Sequence, residues 1–291
     1  MSVRIERVGT TSDKLGEGPV WTAAEQALYW VDGSDGEIWR WEARTNSLRS
    51  WTVPGRIGSI ALRNAGGALM AVDTRLQFFD FATATHGPLA SPEQPTLPVG
   101  YVFNDGKVDA WGRFIVGTFS PTELSSKGAV FSLKAGKCTL LDDGFICPNG
   151  PAFSPDDRTM YLADTIPQQI FAYDYDLATG AISNRRLFAD TSSVGRPDGF
   201  TVDADGCLWV AIVMSGKLAS FTPKGALDRV IDVPPTLPSS AMFGGDNLDV
   251  LYLTSIGNGA SFGWRCNESD GGLFAIHGLG VRGRPEPRFD G

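Results

Sequence analysis

The chain alternates between short apolar or aromatic runs and polar turns, and no amphipathic stretch of helical period exceeds about two turns. Runs such as Leu28-Tyr29-Trp30-Val31, Arg113-Phe114-Ile115-Val116, Thr159-Met160-Tyr161-Leu162-Ala163 and Cys207-Leu208-Trp209-Val210 are bounded by breakers. That length and those boundaries predict strands buried on both faces. The turns before them, such as Ser154-Pro155-Asp156-Asp157 and Asp203-Ala204-Asp205-Gly206, carry the residues that tight hairpins need.

The pattern repeats. Units open on Glu17-Gly18-Pro19, Ile57-Gly58-Ser59, Asp105-Gly106-Lys107, Asn149-Gly150-Pro151, Asp198-Gly199-Phe200 and Ser240-Ala241-Met242. Counting from Gly18 through Gly58, Gly106, Gly150 and Gly199 to Ala241, the intervals are 40, 48, 44, 49 and 42 residues. A period of about 40–50 residues belongs to the four-stranded blades of a propeller. The expected fold is therefore all-β: one six-bladed β-propeller domain over residues 1–291, its blades arranged around a central channel. The segment Val3–Val8 precedes the first unit and is expected to close the ring as the outermost strand of the last blade. A pair of β-sandwiches is the rival architecture, and it rarely keeps so long a period.

Composition agrees and narrows the chemistry. Glycine is in excess, 35 of 291 residues, which suits a turn-rich chain. The net charge of −8 disfavours nucleic acid, whose binding needs clustered Lys and Arg. Only His86 and His277 are present, so a site built on several histidines has little material. Neither HExxH nor GxSxG occurs. Cys138, Cys147, Cys207 and Cys266 form no CxxC pair and read as buried or free thiols. No apolar leader and no membrane-length apolar run is visible, so a cytoplasmic location without membrane contact is expected.

Register makes the odd positions interpretable. Glu17, Asn149 and Asp198 stand at one position in near-identical frames: Glu-Gly-Pro, Pro-Asn-Gly-Pro and Pro-Asp-Gly. Taken singly, each is an ordinary turn residue. Together they send two carboxylates and an amide toward one end of the channel, where the carboxylates repel unless a cation lies between them. An all-oxygen set suits Ca²⁺ best; Mg²⁺ and Mn²⁺ accept similar sets.

With these residues in view, the sequence resembles the SMP-30/gluconolactonase/regucalcin-like lactonases, six-bladed propellers with a divalent metal in the channel. The resemblance rests on Leu15-Gly16-Glu17-Gly18-Pro19, Phe103-Asn104-Asp105-Gly106-Lys107-Val108-Asp109, Pro148-Asn149-Gly150-Pro151 and Arg196-Pro197-Asp198-Gly199, in that order. It implies metal ligation by Glu17, Asn149 and Asp198, a general-base role for Asp198, and substrate contact by Asn104. It leaves Ca²⁺ and Zn²⁺ both open. The implied activity is hydrolysis of a small sugar-acid lactone.

Two departures stand out. Val102 occupies a position where many relatives carry a sugar-binding Arg, and an acidic substrate contact has no clean match at Thr122 or Glu123. Val102 motivates a second reading, a phosphotriester or non-sugar lactone on the same metal site. A non-catalytic calcium-binding propeller is a third. Trp30, Trp39, Trp41, Trp51 and Trp209 are expected to pack between blades, and residues 282–288 are expected to form a solvated tail.

Overall fold

A computed structural model describes residues 2–89, 94–122, 124–259 and 263–291. The regular structure of these residues is all strand, in six four-stranded antiparallel sheets that form the blades of a propeller. The first five blades are sequential meanders spanning residues 16–52, 57–88, 102–145, 148–190 and 196–232. The sixth takes three strands from residues 238–277, and its outermost strand is Arg4–Val8. Val8 pairs with Leu273 and Arg4 with His277, so the chain's first strand closes the ring as expected.

The innermost strands are Gly16–Thr22, Ile57–Leu62, Val102–Val108, Pro148–Phe153, Arg196–Val202 and Pro238–Gly244. In all six, the pairing slips at the repeated motif, between Glu17 and Val20, Ile57 and Ser59, Phe103 and Gly106, Asn149 and Ala152, Pro197 and Phe200, and Pro238 and Ala241. A bulge bends its strand and re-aims the side chains beside it. This explains the recurrent glycine. Gly150 sits at φ +84, and a Cβ on Gly199 would lie 2.2 Å from Ser240 Oγ.

The core is a ring of inter-blade layers. Trp51, Phe79 and Met70 join blades 1 and 2, while Tyr161, Phe200 and Val210 join blades 4 and 5. Trp209 stacks edge-on to Phe243 between blades 5 and 6, and Trp30 and Trp41 lie with Met242 and Tyr252 between blades 6 and 1. Trp39 packs against that last layer, stacked on Trp30. The five tryptophans are thus packing residues, as expected. The four cysteines are free thiols.

The expectation of a solvated C-terminal tail is overturned. Residues 282–290 cross the end of the channel opposite the strand starts and bond to every blade. Backbone or side-chain hydrogen bonds join them to Thr22, Asn64, Gly112, Ser154, Ala204 and Leu248. Phe289 is 1% exposed, in the layer between blades 2 and 3. Local composition misleads here because the rim offers backbone groups and apolar surface that need a partner. Among the described residues, no helix is long and apolar enough to cross a membrane.

Candidate active site

The starts of the inner strands meet at a cavity of about 370 Å³. Glu17 from blade 1, Asn104 from blade 3, Asn149 from blade 4 and Asp198 from blade 5 all line it. Repeat register grouped Glu17, Asn149 and Asp198, and the family resemblance added Asn104; the fold brings all four to one cavity. Among the described residues no three His, Cys, Asp or Glu side chains group as metal ligands. The convergent set is instead two carboxylates and an amide.

The loops entering the inner strands are held by carboxylates from the second strands. Asp32 accepts from Lys14 N (2.7 Å) and Leu15 N (3.1 Å), just ahead of Glu17. Asp164 accepts from Ile146 N (3.0 Å) and Cys147 N (2.8 Å), just ahead of Asn149. Asp73 accepts from Arg56 N at 3.1 Å. Each such bond satisfies a backbone donor of a loop that leaves the sheet ladder, and so fixes where the following side chain starts.

A directional hydrogen-bond relay then crosses four blades. Arg56 Nη2 reaches Asn104 Oδ1 at 3.4 Å, and Asn104 Nδ2 donates to Asn149 Oδ1 at 2.8 Å and to Pro148 O at 3.1 Å. Asn149 Nδ2 donates to Thr165 Oγ1 (2.8 Å), whose hydroxyl donates to Pro197 O (2.7 Å), the residue before Asp198. The order of donors sets both amides. Asn149 keeps one Oδ1 lone pair for the cavity, while both N–H groups of Asn104 are engaged inside the protein.

Asp198 is buried and Glu17 half-buried, and both carboxyls are held well above the usual carboxylate range. Burial is the main cause for each; the charges of Asp198 and Asp105 add to it at Glu17, and that of Asp105 at Asp198. Asp105 accepts from Gly106 N (2.7 Å) and Gly150 N (3.1 Å), and burial pushes it up to about 7. Glu17 accepts only a 3.1 Å bond from Gly18 N among the bonds seen. Two desolvated carboxyls with hard oxygen donors, one free amide lone pair and strong carboxylate repulsion fit a divalent cation well.

Several site residues escaped sequence reasoning. Arg56 lies against Asn104, with its guanidinium 5.0 Å from the centre of the Phe119 ring and Nη1 donating to Phe103 O at 3.0 Å. It brings to the cavity the guanidinium that Val102 does not. Thr165 and Arg196 also line the cavity. Asp105 stood in the repeat register without a role. Thr122 is at the cavity wall; Glu123 lies outside the described residues.

The family model for the SMP-30/Gluconolactonase/LRE-like region matches residues 15–257, which contain every side chain of this relay. The chain belongs to the SMP-30/gluconolactonase/LRE-like family. Within that family it is 33% identical to a regucalcin of Xenopus laevis over 299 residues, covering 100% of this chain and 99% of the relative. It is 33% identical to the 6-deoxy-6-sulfogluconolactonase of Pseudomonas putida over 282 residues, covering 95% of each. The crystal structure of a calcium-binding protein, regucalcin, from Agrobacterium tumefaciens superposes with a TM-score of 0.88 at 25% identity, over 97% of this chain and 96% of that one.

Proposed function

We propose that this SMP-30/gluconolactonase-family protein is a metal-dependent lactonase that opens a sugar-acid lactone to the hydroxy acid. The observation that carries the reading is the convergence of Glu17, Asn149 and Asp198 on one cavity, with the Asn149 amide turned by Asn104. These three side chains would hold one divalent cation. Their oxygen-only chemistry favours Ca²⁺ over Zn²⁺, with Mg²⁺ and Mn²⁺ as further candidates. The calcium-binding relative from Agrobacterium tumefaciens and the lactonase from Pseudomonas putida support the assignment.

When bound, such an ion supplies Lewis acidity toward a carbonyl oxygen. The chain's own residues do the rest. Asp198 accepts a proton from the water whose oxygen bonds to the lactone carbonyl carbon. The ring C–O bond then breaks, the departing oxygen takes up the proton, and the new carboxylic acid ionises at neutral pH. Asn104 acts from beneath, holding Asn149 and offering its Oδ1 to a substrate hydroxyl. The apolar walls, including Leu15, Phe119 and Ile256, exclude bulk water around the reacting carbonyl.

Those same walls favour a second reading, a lactone with fewer hydroxyls than an aldonolactone. The test is acid release followed with a pH indicator, using gluconolactone and an unsubstituted lactone of equal ring size. EDTA is expected to abolish release and Ca²⁺ to restore it. Undiminished release after EDTA treatment would overturn the metal-dependent reading. Turnover of the unsubstituted lactone alone would replace the sugar reading with the second one.

A further inference from the structure

The candidate active site carries more positive charge than opening a neutral lactone requires. Arg56 enters the cavity from blade 2 and Arg196 from blade 5, across the channel in a ring of six blades. Arg56 is half-buried, and among the described residues its side-chain hydrogen bonds go to Phe103 O and Asn104 Oδ1, a carbonyl and an amide, not to a carboxylate. A guanidinium has five N–H donors, so donors remain for a ligand. Its position is fixed by the Phe119 ring and by the backbone bond from Arg56 N to Asp73. Arg196 directs Nη1 to the Met214 sulfur at 3.3 Å, again not to an acid.

Glu17 and Asp198 are the carboxylates of the cavity wall, and in the lactonase reading they belong to the cation. That leaves Asp73, behind the Arg56 backbone, as the remaining acid acting on Arg56, and among the described residues neither guanidinium makes a direct ion pair in this cleft with apolar walls. A partly desolvated cation outside an ion pair is unfavourable, and an anion that pairs with a rigid fork of N–H donors offsets that cost.

We propose that Arg56 and Arg196 select a lactone that carries a separate, permanently anionic group, a carboxylate or a sulfonate. The proposal rests on the lactonase reading for the reacting ring, but the anion site itself stands on the two arginines. Arg56 is the principal contact because Phe103 O, Asn104 Oδ1 and the Phe119 ring hold it on three sides. Arg196, at the more open rim, adds charge. The anionic group would lie on the Arg56 side of the cavity while the ring carbonyl faces Glu17, Asn149 and Asp198.

The test compares gluconolactone, which is neutral, with glucarolactone and 6-deoxy-6-sulfogluconolactone on the Ca²⁺-loaded protein. The wild type is expected to favour a charged lactone in kcat/KM by about tenfold or more, and the larger of the two ratios tells carboxylate from sulfonate. In R56Q the charged-to-neutral ratio is expected to fall about 10- to 100-fold, with partial recovery in R56K. R196Q, at a less buried position, gives a smaller fall and keeps the test valid where R56Q folds poorly. A ratio at or below one in the wild type, or unchanged in both variants, overturns the proposal.

A binding arm separates the two readings. Calorimetry with glucarate and gluconate, which differ by one terminal carboxylate, reads the anion site without any hydrolysis. Tighter glucarate binding that R56Q abolishes, with no lactone opened, leaves the anion site standing and removes the lactonase. Lactones opened with no charge preference, and equal glucarate and gluconate binding, do the reverse.

Discussion

Asn104 Nδ2 donates to Asn149 Oδ1 at 2.8 Å, and this bond joins blade 3 to an amide of blade 4 that lines the cavity. Both residues are buried, at 8% and 6% exposure, so neither can trade the bond for water at no cost. Asn104 thus contributes by fixing which atom Asn149 shows to the cavity. In Asn104→Ala, metal affinity is expected to fall about 10- to 100-fold, as for other partners that orient a metal ligand. Titration calorimetry with Ca²⁺ checks this. Unchanged affinity would confine Asn104 to substrate contact.

Thr165 carries the same relay one step further, between Asn149 Nδ2 and Pro197 O. Thr165→Val keeps the shape and removes both bonds, leaving buried partners unsatisfied. A loss of about 1–3 kcal/mol in unfolding free energy is expected, together with weaker Ca²⁺ binding. Urea unfolding and calorimetry read the two effects separately.

Asp13 supplies a pH dependence away from the cavity. It is buried and accepts from Trp30 Nε1 at 2.8 Å, and burial pushes its carboxyl up to about 8. The folded state therefore keeps a proton that the unfolded chain has already lost above about pH 4. This stabilisation is complete below the unfolded pKa and declines as pH rises toward 8, by at most about 1.4 kcal/mol per pH unit. Asp13→Asn, which retains an oxygen for Trp30, is expected to flatten the decline. Denaturant melts at pH 5, 6.5 and 8 would show it, and parallel curves for the two proteins would contradict the assignment.

The C-terminal strap is a stability element. Phe289→Ala removes a buried ring from the layer between blades 2 and 3 and is expected to cost about 3–5 kcal/mol. Thermal melts of that variant check it. A melting temperature equal to that of the wild type would mean the strap is dispensable.

The blades and the three oxygen-bearing side chains that meet at the cavity were legible because a propeller repeats its bulge. Glu17 and Asn149 are the last paired residues before the slip and Asp198 is the first residue within it, each directly ahead of a glycine, so one sequence frame reports all three. Arg56 was not legible. The bulge of its blade spans Ile57 to Ser59, one residue shorter than the others, and Arg56 precedes the strand. Thr165 follows the second strand of blade 4, outside the repeated motif, and its role depends on a contact 32 residues away at Pro197. The strap failed for another reason. Charged residues and prolines look solvated until the fold shows the rim they cover.

In the proposed lactonase, Glu17, Asn149 and Asp198 would hold one catalytic divalent cation at the head of the channel. Anomalous diffraction from Ca²⁺-soaked crystals tests it most directly. A single peak is expected in the channel, about 2.3–2.6 Å from a Glu17, an Asn149 and an Asp198 oxygen, and it is expected to be lost in Asp198→Ala. A channel without a peak, or a peak that survives that substitution unchanged, would contradict it.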